Sequence, residues 1–229
     1  MDIKENVEKI KEIIEKSAKK AGRNPDEIIL LAASKTQPVE KIIKAYEAGI
    51  RYFGENKVQE GIKKIEALKD YKDIHWHLIG HLQTNKVKHA IKYYEMIHSV
   101  DRKPVVDEIE KRSESKGKIQ DVLIEVNIGK EESKHGVFPE ELKDLFEYTL
   151  RKPHIKVHGL MCIPPYFEDK EKVRPYFKEM KILKEELEKT FRVELPHLSM
   201  GMSHDFDVAI EEGATIVRIG SAIFGEREY

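Results

Sequence analysis

The sequence has little cysteine and no long apolar run. Cys162 is its only thiol, so the chain can form no internal disulfide and no zinc site built from cysteines. This scarcity agrees with a reducing compartment. No stretch of eighteen apolar residues occurs, and the first six residues contain no apolar segment of a secretory signal. We therefore expect a cytoplasmic protein that does not span a membrane.

The sequence also lacks an excess of either charge. Its 41 lysines and arginines nearly balance 42 aspartates and glutamates, so no global field recruits nucleic acid or an anionic membrane. A small-molecule ligand is the partner we expect. Glutamine is scarce, at four residues, whereas charged residues, mostly lysine and glutamate, make up 36% of the chain. Such a composition is typical of thermophile surfaces and predicts a melting temperature above the ordinary mesophile range.

Short β-branched runs alternate with amphipathic segments along the chain. The runs predict eight strands, at 28–34, 50–53, 74–79, 96–100, 122–127, 157–163, 197–200 and 215–219. The amphipathic segments predict helices at roughly 39–48, 56–68, 85–94, 105–116, 140–151, 174–189 and 206–212. A further N-terminal helix carries Ile3, Val7, Ile10 and Ile14 on one face.

This alternation predicts an α/β fold, a single (β/α)8 barrel domain of TIM type over residues 1–229, with the N-terminal helix covering its bottom or flank. An open doubly wound sheet is the competing architecture. Catalytic and binding residues of a barrel emerge at the carboxyl ends of the strands, where the following loops converge. The residues just after each predicted strand are therefore the candidates for a site.

Lys35 follows the first predicted strand and is the first candidate for covalent chemistry. An ε-amine becomes a useful nucleophile when burial or neighbouring cations lower its pKa, and a strand end in a concave site supplies both. An ordinary solvated lysine is the alternative, since the chain contains 41 lysines and arginines.

Small residues accompany the last two predicted strands: Ser199, Gly201 and Ser203 at the seventh, and Gly220 and Ser221 at the eighth. Such residues let backbone N–H groups approach an anion closely, and these two loops are the habitual phosphate site of the fold. Tight turns alone are the alternative reading of the glycines. The two loops together predict a phosphorylated ligand.

Arg218 lies within the apolar eighth strand. It must point into the barrel mouth or pair with a carboxylate, such as Glu55 or Glu125, because unpaired burial is too costly. The other possibility is an acceptor on the ligand. Together with Lys35 and the phosphate loops, Arg218 predicts an aldehyde-bearing phosphate ester bound as a Schiff base.

Five stretches of the chain resemble the pyridoxal phosphate homeostasis protein family. They are residues 34–36 (SKT), 53–56 with 58–60 (FGEN and VQE), 77–80 with 82–86 (HLIG and LQTNK), 198–203 (LSMGMS) and 217–221 with 223–225 (VRIGS and IFG). The stretches run in order, so the resemblance covers essentially the whole chain. The family is similar to the N-terminal barrel of alanine racemase and binds pyridoxal 5′-phosphate, with no established turnover reaction of its own.

The resemblance implies a role for each matching residue. Lys35 forms the internal aldimine, Arg218 faces the pyridine nitrogen, and Asn56 lies near the ring hydroxyl. The residues around the phosphate are Ser199, Gly201, Ser203, Gly220 and Ser221. Which of the serines at 199 and 203 makes the closer contact is left open. Asn56 has an alternative reading as the cap of the helix that begins near Lys57.

An arginine at the pyridine nitrogen restrains carbanion chemistry, because a permanent cation accepts no proton and leaves the cofactor a weak electron sink. Alanine racemase also supports its second acid/base with a further domain, whereas this sequence ends nine residues after Gly220. We therefore expect cofactor binding and homeostasis rather than catalysis, with Lys35 as the catalytic residue only if the protein is an enzyme. The alternatives are a pyridoxal-phosphate-dependent amino-acid racemase and a Schiff-base aldolase.

Other features predict less. His75, His77, His81 and His89 have no cysteine or carboxylate at ligand spacing, so we expect no metal. The polar loop 129–137 is an ordinary turn or a lid, and the aromatic pair at 166 and 167 walls the cofactor or anchors its own loop. Apo forms of pyridoxal-phosphate enzymes are the expected protein partners. No long apolar helix face calls for a second subunit, so we expect a monomer.

Overall fold

Eight parallel strands form a closed barrel in the computed structural model, which describes residues 2–226. The strands are β1 Ile29–Ala33, β2 Tyr52–Glu55, β3 His75–Leu78, β4 Met96–Val100, β5 Gln120–Val126, β6 Ile155–Cys162, β7 His197–Ser199 and β8 Ile216–Ile219. The barrel closes because β8 pairs with β1, with Arg218 opposite Leu31. The predicted (β/α)8 barrel is confirmed, and the open sheet, which would leave two unpaired edges, is wrong.

Helices alternate with the strands and surround the barrel. They are α1 Ile3–Lys20, α2 Val39–Glu47, α3 Val58–Ala67, α4 Val87–Tyr93, α5 Lys103–Lys116, α6 Pro139–Leu150, α7 Arg174–Phe191, α8 Phe206–Glu211 and α9 Ser221–Phe224. Helix α9 is missing from the sequence prediction because four residues are too few to show a helical period. Within residues 2–226, no helix combines the length and the apolar character needed to cross a membrane.

Helix α1 lies on the flank of the barrel. Its predicted apolar face is buried at Ile3, Val7, Ile10 and Ile14 and packs against α2, α8 and α9. The Asn6 side-chain amide donates to the carbonyl of Ile223 at 2.9 Å, which joins α1 to α9. The helix therefore supports the loop after β8, where one part of the predicted site lies.

The strands alternate between two faces, and each face belongs to a different core. Residues facing the helices form the large outer core. Inside the barrel, an apolar cluster consists of Leu31, Ile79, Met96, Leu123, Met161 and Ile216. The same inward alternation places Arg218 two residues after Ile216 and His98 two residues after Met96. The barrel interior is thus apolar in part and carries a buried polar group near the carboxyl ends of the strands.

Strand β5 begins two residues before the predicted Val122. Gln120 is polar and reads as the end of a loop, yet it is fully buried. Its amide donates to the carbonyls of Tyr94 and Glu95 at 3.3 and 3.1 Å. These hydrogen bonds satisfy the N–H₂ group of the buried side chain, whereas its oxygen has no partner among the described residues.

Candidate functional site

A cavity of about 510 Å³ opens at the carboxyl ends of the strands, and the predicted site residues that line it belong to β1, β2, β7 and β8 or to the loops after them. These four strands are consecutive around the closed barrel, so residues far apart in sequence meet there. Seven of the eight predicted site residues line the cavity: Lys35, Asn56, Gly201, Ser203, Arg218, Gly220 and Ser221. Ser199 is the exception and lies fully buried beside Arg218.

The residues on both sides of Lys35 are held in place. The Ser34 backbone N–H donates to the carbonyl of Gly54 at 3.0 Å, and the Ser34 hydroxyl donates to Glu55. On the other side, the Thr36 N–H donates to Glu60 Oε1 at 2.7 Å. Within the described residues, no hydrogen bond or ion pair holds the Lys35 ammonium itself. The backbone is thus fixed while the amine is left for the cavity.

Thr36 has a φ of 64°, in the left-handed region that β-branched residues rarely adopt. Such a conformation costs on the order of 1–3 kcal/mol and persists only where the surroundings impose it. The hydrogen bond from the Thr36 N–H to Glu60 is one such constraint. The turn ends the extended chain immediately after Lys35, which keeps the lysine at the rim of the barrel.

The structure contains a buried ion pair next to the backbone of Lys35 that the sequence did not predict. Lys64, on the inner face of α3, donates to Glu55 Oε1 at 2.8 Å and to the carbonyl of Ser34 at 2.7 Å. The Glu55 side chain is fully buried, and burial raises its pKa against the opposing effect of Lys64 and Ser34. The one sequence signal is that Lys64 lies three residues after Gly61, on the face of α3 that packs inward.

The loops after β7 and β8 form a cradle of unpaired backbone donors. Within residues 2–226, the N–H groups of Ser203, Gly220 and Ser221 have no acceptor. Gly201 has a φ of +99°, and a Cβ there would lie 2.7 Å from the Cβ of Ala209. The Ser203 hydroxyl accepts from the N–H of Ala222 at 3.2 Å, which joins the two loops. Converging N–H donors of this kind fit a phosphate.

Arg218 has no ion-pair partner among the described residues, although only 3% of its surface is exposed. Nη1 donates to Ser199 Oγ at 2.6 Å and Nη2 to the carbonyl of Cys162 at 2.9 Å. The predicted pairing with Glu55 or Glu125 is therefore not found. A guanidinium has five N–H groups, so Arg218 keeps donors for an acceptor in the cavity it lines.

Asn56 lines the cavity just after β2, and its alternative reading as a helix cap is wrong. Lys57 occupies the N-cap position of α3, and its side chain makes no capping hydrogen bond. Ser199 does not line the cavity. Its hydroxyl contacts Arg218 and His98, so Ser203 is the serine of the two that lines the cavity.

Further residues line the cavity without having been assigned from sequence, among them Gln37, Ile79, Lys134, His204 and Asp205. Lys134 comes from the loop 129–137, where Nζ donates to the carbonyl of Pro164 at 3.3 Å. Tyr166 walls the cavity with 75% of its surface exposed. Phe167 instead packs against the outer core and Tyr176, so it anchors the loop.

Three possible metal ligands meet beside the barrel mouth, of which only His81 belongs to the histidines compared in the sequence. His81 stacks on His135 with ring centroids 3.7 Å apart, and an oxygen of Asp101 lies within 4.8 Å of a nitrogen of each. The Asp101 oxygens already accept from Arg102 Nη1 at 2.8 Å and from the Gly136 N–H at 3.1 Å. The Arg102 guanidinium already pairs with the Asp101 carboxylate, so we assign no metal ion to this cluster.

Comparison with known proteins places this geometry in a family. The family model described as alanine racemase, N-terminal domain, matches residues 2–228. A pyridoxal phosphate homeostasis protein of Aquifex aeolicus is 57% identical over 229 residues, which cover all of both chains. The chain belongs to the pyridoxal phosphate homeostasis protein family.

Solved structures agree with this membership. PipY of Synechococcus elongatus, a structure with pyridoxal phosphate bound, has a TM-score of 0.82 and 33% identity. The alignment covers 93% of this chain and all of that one. An alanine racemase of Clostridium difficile covers 100% of this chain and 57% of its own, with a TM-score of 0.75. At 15% identity, that likeness shows the barrel fold alone. The pyridoxal phosphate homeostasis protein family thus shares its barrel with alanine racemase.

Proposed function

We propose that this protein binds pyridoxal 5′-phosphate and serves the homeostasis of that cofactor. One observation carries the proposal: an amine, a cradle of free N–H groups and a buried unpaired arginine line the same cavity. Pyridoxal phosphate supplies an aldehyde that condenses with a primary amine with loss of water, a phosphate, and a pyridine nitrogen. The donor set of the cavity fits all three groups.

Each part of the cavity has a proposed task. Lys35 is the amine that captures the aldehyde. The cradle of Gly201, Ser203, Gly220 and Ser221 binds the phosphate. Arg218 donates to the pyridine nitrogen, and Asn56 lies beside the ring hydroxyl. These tasks agree with the positions of the residues around the cavity.

The cavity favours holding and releasing the cofactor over turnover. Arg218 only donates hydrogen bonds, so it keeps the nitrogen that it contacts unprotonated. Within the described residues no carboxylate lies within 4.0 Å of its guanidinium to supply a proton. An unprotonated pyridine ring is a weak electron sink. Tyr166 is largely exposed at the cavity wall, so water reaches that side of the site.

The wider setting of this function is also proposed. We place the protein in the cytoplasm, as a monomer whose single barrel domain delivers the cofactor to apo forms of pyridoxal-phosphate enzymes. The near balance of charge and the cavity's place at the open end of the barrel agree with this assignment.

Cofactor capture has a direct test. The purified protein is expected to be yellow with added pyridoxal phosphate, and borohydride is expected to fix the cofactor's mass onto a peptide containing Lys35. Lys134→Ala serves as the matched control, because that lysine also lines the cavity. A colourless protein, or a label that survives Lys35→Ala unchanged, would refute the assignment of Lys35.

A second test separates storage from catalysis. The holoprotein is incubated with single L-amino acids in deuterated water, and loss of the α-proton signal is followed by NMR. We expect a rate no higher than that of free cofactor, because Arg218 restrains carbanion formation. Exchange or racemisation well above that rate, and abolished in Lys35→Ala, would make the protein an enzyme.

A further inference from the structure

A hydrogen-bonded chain runs through the barrel interior from Arg218 to His77, which faces the Glu95 carboxylate at the opposite end of the barrel. Arg218 Nη1 lies 2.6 Å from Ser199 Oγ, which lies 2.9 Å from His98 Nδ1. His98 Nε2 lies 2.9 Å from His77 Nδ1, and His77 Nε2 lies 3.6 Å from Glu95 Oε2. The links come from β8, β7, β4 and β3, and Glu95 directly precedes β4.

The two ends of this chain dictate its direction. An arginine has only N–H donors, and an ionised carboxylate has only acceptors. The Ser199 oxygen therefore accepts from Arg218, and its O–H is free to donate to His98 Nδ1. At the other end, Glu95 Oε2 lies 2.7 Å from His75 Nδ1 and 3.6 Å from His77 Nε2. A proton on His77 Nε2 is attracted to this carboxylate, whereas a lone pair there would be repelled.

The imidazoles between these ends have one consistent arrangement. With Nδ1 of His98 accepting from Ser199, a neutral His98 carries its proton on Nε2 and donates to His77 Nδ1. The opposite direction would leave the Ser199 hydroxyl without an acceptor among the described residues. It would also turn an unprotonated His77 nitrogen toward the Glu95 carboxylate.

The surroundings favour neutral imidazoles. His98 is fully buried and His77 is 3% exposed. The charged or titratable groups that face the pair are Arg218 and His197 on the side of His98, and His75, Glu95 and Asp121 on the side of His77. A proton added to either ring would break the chain, since each ring nitrogen facing Ser199 or His98 must accept.

We infer that His98 and Ser199 are positioning residues, which fix the Arg218 guanidinium at the floor of the cavity through neutral, Nε2-protonated His98 and His77. The expected effect on cofactor binding rests on the proposed function, whereas the assignment of the two tautomers does not. Ser199 in this arrangement supports the arginine instead of binding the phosphate. His77 and Glu95 act one step further away, by setting the tautomer of His98.

The tautomers are tested without cofactor. In the apo protein labelled with ¹⁵N-histidine, long-range ¹H–¹⁵N spectra are expected to show both rings as Nε2–H tautomers, unchanged from pH 5.5 to 8.5. The signals that disappear in the His77 and His98 variants are assigned to these two rings. An Nδ1–H tautomer, or protonation of either ring within this range, would overturn the inference.

Two amide substitutions then separate the two sides of His98. An asparagine amide reaches the place of Nδ1, and a glutamine amide reaches that of Nε2. His98→Asn is therefore expected to keep the contact to Ser199, and its Kd for pyridoxal phosphate stays within about twofold of the wild type. His98→Gln loses that contact, and its Kd rises about tenfold. His89→Gln, on the outer helix α4, is the matched control.

The outcomes are distinct. Equal losses of affinity for pyridoxal phosphate in His98→Asn and His98→Gln, with melting temperatures matching the control, would refute positioning through Nδ1. Unchanged affinity in both variants would refute it as well. If the variants unfold, the tautomers measured in the wild-type protein still test the inference. A wild-type protein that binds no pyridoxal phosphate refutes the proposed function, while the ¹⁵N spectra test the chain independently.

Discussion

At the scale of single residues, Glu125 and Arg218 are both buried near the barrel mouth but form no ion pair within the described chain. Burial and, to a smaller extent, the charge of Asp101 raise the pKa of Glu125 to about 7 against the opposing effect of Arg218. The carboxyl group is thus close to half protonated at neutral pH. Because Glu125 forms no ion pair with Arg218, the guanidinium keeps N–H donors for a ligand.

Glu125 is expected to make stability depend on pH. Its folded-state pKa of about 7 lies above the unfolded value of 4.5, so protonation favours the folded protein. The destabilisation is absent below pH 4.5, grows as the pH rises to about 7, and reaches at most about 3 kcal/mol. Urea unfolding of the wild type and Glu125→Gln across this range measures it. The variant should gain stability relative to the wild type as the pH rises.

The exposed Glu132→Gln controls for the loss of one charge, and its difference from the wild type should stay flat. A Glu125→Gln difference that is equally flat would show that Glu125 is ionised throughout this range, contrary to the prediction.

At the scale of elements, the Lys64–Glu55 ion pair joins α3 to β2 and, through the Ser34 carbonyl, to the end of β1. Its partners are almost fully buried, with side-chain exposures of 9% and 0%. Removing one partner of such a pair leaves the other charge buried and uncompensated. This pair therefore fixes the backbone that carries Lys35.

Lys64→Met is expected to destabilise the protein by about 3–5 kcal/mol, because Glu55 loses its partner. Adding Glu55→Gln should recover much of that loss, since no buried charge then remains. Urea unfolding at pH 7 of the wild type, both single variants and the double variant measures the coupling. Lys103→Met breaks an exposed pair with Asp144 and should have a smaller effect. Equal losses in Lys64→Met and Lys103→Met would contradict a structural role for the buried pair.

The elements themselves were largely predictable, whereas their buried polar links were not. The apolar run at β1 and the period of α1 depend on local sequence, and both elements formed as expected. The hydrogen-bonded chain from Arg218 to His77 depends on which residues of four strands face the barrel interior close to one another. Barrel register sets that level, and a period of two along each strand does not reveal it. The strain at Thr36 likewise follows from contacts with α3.

At the scale of the whole molecule, ion pairs link helices that are far apart in sequence. Arg174, at the start of α7, donates to Glu211 and Glu212 at 2.8 and 2.9 Å, and Lys20 of α1 lies 2.7 Å from Glu211. Arg174 also pairs with Glu171 at 2.8 Å. A network of this kind gains importance with temperature because the cost of desolvating charges falls.

The cofactor-free protein is therefore expected to melt above about 65 °C, the upper end of the usual mesophile range. Arg174→Gln should lower the melting temperature by several degrees, because it removes the centre of the network that joins α1, α7 and α8. Salt should reduce this difference, since it screens partly exposed charges. Lys103→Gln, in an isolated exposed pair, is the control. Calorimetry that places the wild type at 45–65 °C would contradict the thermophile interpretation of the composition. Equal shifts in Arg174→Gln and Lys103→Gln would instead contradict the role of the network.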